Sequence, residues 1–515
     1  MPQGALDLDG RNPRYPCVQH NLYYGNVTIV EASNTTEDCL HLDVYAPRAS
    51  SSYEQLPGTG RSAVLVALID IHFANGGNSY YFADPRRFVN STGVLVVVPN
   101  YRLGALGFMR SGKQRSPGNM GLLDQALMLR WVRDNVFSFG GNPHNIILMG
   151  AGGGAVAAGY HLLSPITRGF TRRAILHSGS PLIPFPALTT DDPLDGIAHN
   201  AQCSKDGAGA NLDQAATLSC LHDRPTEVLR DALTEGHYPV TQDSFLPLPF
   251  ETMLAQSTDQ TAQLSSGDGS QCHKRFFSLT RRQVLVGNVI DEGSLTVAHV
   301  FRNLTANDWR SSKREFIIDK LLTFLEPYKV PHLDKIIKCY LSNPDKAQQV
   351  LTFFDVASEM IGDMLYVCPM KRFADLFSQA GNRVSYFVFT YKPAASTDRL
   401  GTHATQLDDV LSVFGTHAHP SELRFTERLM KHWGEFAKSG DLPSLKGGRP
   451  WPPYTMENPR YVFLENREDG ELSTEEKEDY RDQQCKYWAD YLSMQSASQQ
   501  PEDFRYKCEE ISPNA

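Results

Sequence analysis

The chain predicts an α/β fold: a mixed, mostly parallel central sheet with helices on both faces. Two observations carry this. Short runs rich in β-branched residues recur between longer helical stretches, at 63–70, 93–99, 146–149, 174–176, 284–290 and 384–391. Several of these runs are apolar on both parities, as strands covered on both faces must be.

Between the runs lie stretches of helical period. GLLDQALMLRWVRDNV, from Gly121, puts Leu123, Leu127 and Trp131 on one helical face. Loops rich in turn formers interrupt the pattern, notably ASSSYEQLPGTGR from Ala49 and QLSSGDGSQ before Cys272. No internal repeat is present, and no shift of composition is strong enough to cut the chain. One domain over 1–495 and a polar tail over 496–515 is the expected organisation. At 515 residues the chain is long enough to bury most of its apolar surface unaided.

Composition excludes some function classes. With 49 Lys and Arg against 58 Asp and Glu, the formal charge is -9, and no basic run is long enough to follow phosphates. Nucleic acid is not an expected partner. No stretch approaches the ~20 apolar residues a bilayer requires. The amino end, MPQGALDLDGRN, lacks the cationic start and apolar block of a signal peptide. Nine cysteines, several at loop-closing separations, and N-x-S/T sequons at Asn26, Asn34, Asn90 and Asn303 nevertheless point to an oxidising compartment.

The stretch with the most chemical content is Gly150-Ala151-Gly152-Gly153-Gly154. It follows the apolar run 146–149 and precedes the helix-like AVAAGYHLL. In a nucleophile elbow, G-x-S-x-G places a serine on a strained turn between strand and helix, with small neighbours that let the two approach. Here both flanking glycines are present and Gly152 stands where the serine would be. Holding a non-glycine residue at such a turn costs about 1 to 3 kcal/mol. A chain relieved of catalysis lowers that cost with glycine and loses the reactive group in the same step.

EDCLHLDVYAP (37–47), VPNYRLGALGF (98–108), GNMGLLDQALMLRWVRDNVFSFGGNP (118–143), the elbow with HLLSP after it, and HSGSP (177–181) resemble the cholinesterase and type B carboxylesterase family. The likeness runs from about Cys17 to Tyr491. It implies an α/β-hydrolase fold and a Ser, Glu, His triad in chain order. Glu292, in VGNVIDEGS, matches the acid. Counting back from the glycine of QLDDVLSVFG puts Gln406 at the base, with His403 as the alternative. The family's Gly-Gly-Gly oxyanion run falls on His72-Phe73-Ala74-Asn75, so Phe73 and Ala74, with Gly153 after the elbow, mark the oxyanion-hole region. Loss of any triad member still leaves roughly 10³ to 10⁴ over the uncatalysed rate, carried by that hole and by binding. With nucleophile, base and hole all altered, hydrolysis by the family mechanism is not expected.

The resemblance also implies disulfides Cys17–Cys39, Cys203–Cys220 and Cys368–Cys485, leaving Cys272, Cys339 and Cys508 without a family partner and at least one thiol free or intermolecular. Acetylcholinesterases carry in the first loop a tryptophan that holds choline by cation-π attraction. This chain has Tyr23 and Tyr24 there and no tryptophan. Only sixteen residues precede Cys17, fewer than the family has, so the amino terminus reads as lacking the opening strands and the export signal. No cofactor or metal is expected. His417 and His419 in THAHP lack a supporting carboxylate or cysteine set, and Ser178 and Ser180 read as structural.

The implied function is recognition by an inactive esterase fold, as in neuroligins. These also carry glycine at the nucleophile position, bind extracellular partners and pair through helices near the carboxyl end. CPMKRFADLFSQ (368–379) and DQQCKYWADYLSM (482–494) are the counterparts of those helices, and a homodimer through them is the expectation. The alternative is an ester hydrolase, or a protein that holds a small molecule or lipid in the inherited gorge.

Overall fold

The structure, a computed structural model, describes residues 15–24, 27–30, 35–47, 61–78, 84–111, 116–185, 193–204, 214–232, 238–239, 243–258, 281–342, 351–396, 403–467, 472–478 and 480–497. In chain order the strands are β1 Leu22–Tyr24, β2 Val27–Val30, β3 Leu42–Tyr45, β4 Ser62–Ile71, β5 Asn75–Gly76, β6 Leu95–Pro99, β7 Arg110–Ser111, β8 Ser116–Pro117, β9 Gly141–Gly152, β10 Thr171–His177, β11 Gln283–Val289, β12 Arg383–Phe389, β13 Tyr461–Asn466 and β14 Leu472–Lys477. Ten of them form one mixed sheet in the order β14-β13-β12-β11-β10-β9-β4-β6-β3, with β5 paired to β4. Every pairing from β6 through β4 to β13 is parallel, and the sheet ends antiparallel at both edges.

The six runs read as strands from sequence are the six central strands. The sheet also contains β3, β5, β13 and β14, which the apolar-run criterion misses. Edge strand β14, LSTEEK, is polar because one of its sides meets no neighbour.

Alternation along β4 divides the core. Val64, Val66 and Leu68 pack on one face with Leu129, Val156 and Phe373. Leu65, Ala67 and Ile69 pack on the other with Phe88, Leu429 and Trp433. A period-two strand buried on both sides thus welds two helical layers into one core. In the helix Met120–Asn135, Leu122, Ala126, Leu129 and Val132 face the sheet. The face carrying Leu123 and Leu127 points outward, with both residues exposed.

A third cluster joins the helices Arg314–Leu325 and Phe353–Gly362 to Trp488, Tyr491 and Leu492 of the carboxyl-terminal helix Asp482–Ala497. Thr352 starts one of these helices with a capping box, accepting from Asp355 N while Asp355 accepts from Thr352 N. The helix Cys368–Gln379 spends Met370, Phe373, Ala374 and Phe377 on the main core. Both carboxyl-terminal helices therefore use their apolar faces inside the subunit. No helix among the described residues is long and apolar enough to cross a membrane.

The disulfides Cys17–Cys39, Cys203–Cys220 and Cys368–Cys485 are formed, with Cα separations of 5.0, 5.7 and 5.2 Å. Cys339 is a free, exposed thiol. Cys272 and Cys508 lie outside the described residues, as do Asn26 and Asn34. Asn90, on the helix Arg86–Thr92, and Asn303, in a turn, are exposed.

Candidate functional site

The site sits where the carboxyl end of β9 turns into the helix Gly153–Leu163. Gly152 caps that helix with φ 60° and ψ -122°, a combination that strains any residue with a side chain. A Cβ on Gly152 would fall under 3.0 Å from the carbonyl oxygen of Asp70, a backbone atom of the neighbouring strand β4. Gly154 is equally constrained: a side chain there would run into the carbonyl of Leu68. The elbow is thus folded tightly against β4, with no nucleophilic atom at its tip.

Glu292 follows β11 in a short turn and is buried, 3% exposed. No imidazole among the described residues is hydrogen-bonded to it. Its Oε1 accepts from Asn288 Nδ2 at 2.7 Å and from the backbone N–H of Val289 at 3.0 Å. Asn288 is held from its other end by the Tyr386 hydroxyl, which donates to Asn288 Oδ1. Burial pushes the Glu292 carboxyl up to about 8 against the lowering effect of Asn288, and the charge of Asp409 pushes the same way. The Ser178 hydroxyl lies against it and favours the charged form. Even so, Ser178 Oγ and Glu292 Oε2 are both buried without a well-formed hydrogen bond. Ser178 has φ 52° and is 2% exposed, so it is as enclosed as the acid beside it. Ser180 accepts from Leu182 N at 3.4 Å in the following turn.

Gln406 is buried, whereas His403 is exposed. The loop carrying both runs beside the acid, since Asp291 N donates to Ala404 O at 3.1 Å. The Gln406 amide lies against the Tyr366 hydroxyl, and its Nε2 is buried without a well-formed hydrogen bond. Tyr366 is the polar hub here. Its hydroxyl meets His72 Nε2, and Thr296 Oγ1 lies 2.9 Å away. Desolvation holds the half-buried His72 imidazole down at about 4, with His299 acting in the same direction. Neither His72 nor Tyr366 is marked by any local sequence pattern. Tyr366, in the helical segment Asp363–Val367, meets Thr296, 70 positions away in sequence, only through the fold.

In the stretch read from sequence as the oxyanion-hole region, the loop N–H groups find partners within the loop itself. His72 and Phe73 both adopt the left-handed region, with φ 55° and 59°. Their turn aims the N–H of Phe73 at Asp70 Oδ1, 2.8 Å away. The N–H of Ala74 goes to Ile71 O at 3.0 Å. Asp70 Oδ2 accepts from the Tyr101 hydroxyl at 2.6 Å, and desolvation raises this carboxyl to about 7 despite both donors.

A histidine–carboxylate pair lies deeper, and no sequence pattern brings its two members together. His177 Nδ1 is 2.6 Å from Asp409 Oδ2, and Trp433 Nε1 donates to His177 Nε2 at 2.9 Å. The indole N–H fixes Nε2 as an acceptor, so Nδ1 carries the proton given to Asp409. With Nε2 engaged and the ring fully buried, this pair has no free nitrogen to take a proton from a nucleophile. His419, for its part, caps the turn Pro420–Glu422, its ring accepting from Ser421 N.

At the positions read from sequence, the structure thus has a buried Glu292 paired with Asn288, a glutamine at 406, a glycine at 152, and the N–H groups of Phe73 and Ala74 engaged within their own loop. Its frame is that of known hydrolases. Residues 6–488 match the carboxylesterase family as a whole. The chain is 29% identical to the acetylcholinesterase of Bungarus fasciatus over 481 residues, covering 89% of this chain and 72% of that one. It is 27% identical to carboxylesterase 5A of Felis catus over 470 residues, covering 88% and 77%. On the extent of that match and the sheet order described above, the chain belongs to the carboxylesterase family.

Proposed function

We propose that the protein is a carboxylesterase-family member that has given up ester hydrolysis and acts by recognising an extracellular protein partner. The observation that carries the first half is Gly152: the elbow presents no hydroxyl, and the carbonyl of Asp70 stands where a side chain would begin. Gln406 in place of an imidazole and the engaged N–H groups of Phe73 and Ala74 support the same reading.

Three disulfides and the exposed sequon asparagines Asn90 and Asn303 support a place in the secretory pathway or outside the cell. Pairing of two copies through the carboxyl-terminal helix would have to use its solvent face, where Gln483, Lys486 and Asp490 are exposed.

The test is turnover of short-chain esters by protein purified from a secreting host, beside capture of labelled ectodomains by the immobilised chain. Hydrolysis no faster than buffer, with saturable binding of an ectodomain, is the expected result. Hydrolysis that scales with protein and survives exhaustive purification overturns the reading.

A further inference from the structure

Asp70 stands near the end of β4, 1% exposed. Its carboxyl receives one donor from the loop that follows, Phe73 N, and one from the Tyr101 hydroxyl. Oδ1 also lies over the first residue of the helix Gly153–Leu163, where a side chain on Gly153 would strike it before any other atom. A carboxyl oxygen is therefore seated between a loop N–H and the amino end of the elbow helix. That is where this fold aims donors at a substrate's developing oxyanion.

The loop is bent to make this contact. Two successive non-glycine residues, His72 and Phe73, take left-handed backbone angles, each costing about 1 kcal/mol or more. The bend turns Phe73 N–H onto Asp70.

We propose that the anion-accepting site of the fold survives in this protein and is filled from within by the carboxyl of Asp70, an autoinhibitory contact that closes it to any substrate oxygen. The proposal rests on the inactive-hydrolase reading and deepens it. Restoring a serine at 152 and a histidine at 406 would leave the loop donor unavailable.

The experiment is chemical rescue with formate, the smallest carboxylate, read by thermal melting and by 13C-formate binding. Asp70→Ala leaves Phe73 N–H and the Tyr101 hydroxyl facing a carboxylate-sized gap. This variant melts below the unmodified protein and regains about 3 °C at formate a hundredfold above its Kd. The unmodified protein and Asp70→Asn, whose side chains fill the gap, respond to formate no more than to chloride at equal ionic strength. An Asp70→Ala variant indifferent to formate overturns the proposal, as does an equal response from the unmodified protein.

Should Asp70→Ala fail to fold, the unmodified protein is read instead, by the Phe73 amide in a 15N spectrum of selectively labelled chain. Its shift follows the titration of 13C-labelled Asp70; an amide that ignores that titration overturns the proposal equally. Ester turnover by the unmodified chain removes the inactive-hydrolase reading, whereas a negative formate result removes only this inference.

Discussion

The carbonyl oxygen of Asp70 lies under 3.0 Å from the point where a Cβ on Gly152 would begin. This oxygen belongs to the backbone of a central strand, paired at Asp70 with β9 on one side and β5 on the other, so it cannot swing away as a side-chain tip would. The elbow is therefore closed over position 152. A serine at 152 requires strand and helix to part.

Gly152→Ser is accordingly expected to destabilise the protein by about 1 to 3 kcal/mol from backbone strain alone, with a steric cost added. A urea or thermal melt of the variant against the unmodified chain reads this. A variant as stable as its parent would mean that the elbow keeps room for a nucleophile.

The buried carboxyls give a pH dependence whose sign can be worked out. Asp70 is raised from 3.8 to about 7 and Glu292 from 4.5 to about 8, chiefly by desolvation. Between those limits the folded chain holds protons that the unfolded chain has released, so stability falls as pH rises through the window. His72 is lowered to about 4 and works in the opposite direction, but only below about 6.5, where the unfolded ring becomes charged. From pH 6.5 to 8 the slope belongs to the carboxyls. The melting temperature is expected to decline over that interval, and Asp70→Asn with Glu292→Gln to flatten the decline. An unchanged slope in the double variant would contradict the assignment.

Arg481 pins the carboxyl-terminal helix to the body of the fold. Its guanidinium donates through Nε to Asp363 at 2.8 Å and through Nη1 to Glu359 at 2.6 Å, and Asp363 also accepts from the Tyr340 hydroxyl at 2.6 Å. Arg481→Ala leaves two largely buried carboxylates without their cation, a loss of about 3 to 5 kcal/mol. Urea unfolding followed by tryptophan fluorescence measures it. A loss under about 1 kcal/mol would show that Trp488 and its neighbours hold the helix without the ion cluster.

Two disulfides differ in the loop they close. Cys368–Cys485 spans 117 positions and Cys203–Cys220 spans 17. On the chain-entropy model, replacing the first pair with serines costs between 4 and 5 kcal/mol and the second nearer ~3 kcal/mol. Denaturant midpoints of the two double-serine variants check the order. The reverse order would place the difference in native packing around the shorter loop.

Much of this architecture is legible in the sequence because its signals are local. Six central strands announce themselves as short β-branched runs, several of them apolar on both parities, and the elbow by its glycines flanking the turn. Other features are not legible because they arise only from tertiary approach. Asp70 reads as an ordinary residue at a strand end until two left-handed residues fold its own loop back onto it. Asn288 sits four positions before Glu292, but only the turn after β11 converts that spacing into a hydrogen bond. His177 meets Asp409 across 232 positions of sequence. The outward face of the helix Met120–Asn135 misleads in the other direction, since exposed Leu123 and Leu127 mimic a core stripe.

The measurement that bears most directly on the central claim is the intact mass of the purified chain after prolonged exposure to a fluorophosphonate, which captures activated serines as covalent adducts. The account predicts an unshifted mass. A stoichiometric adduct on one serine, abolished when that serine is replaced by alanine in a chain that still folds, would contradict it.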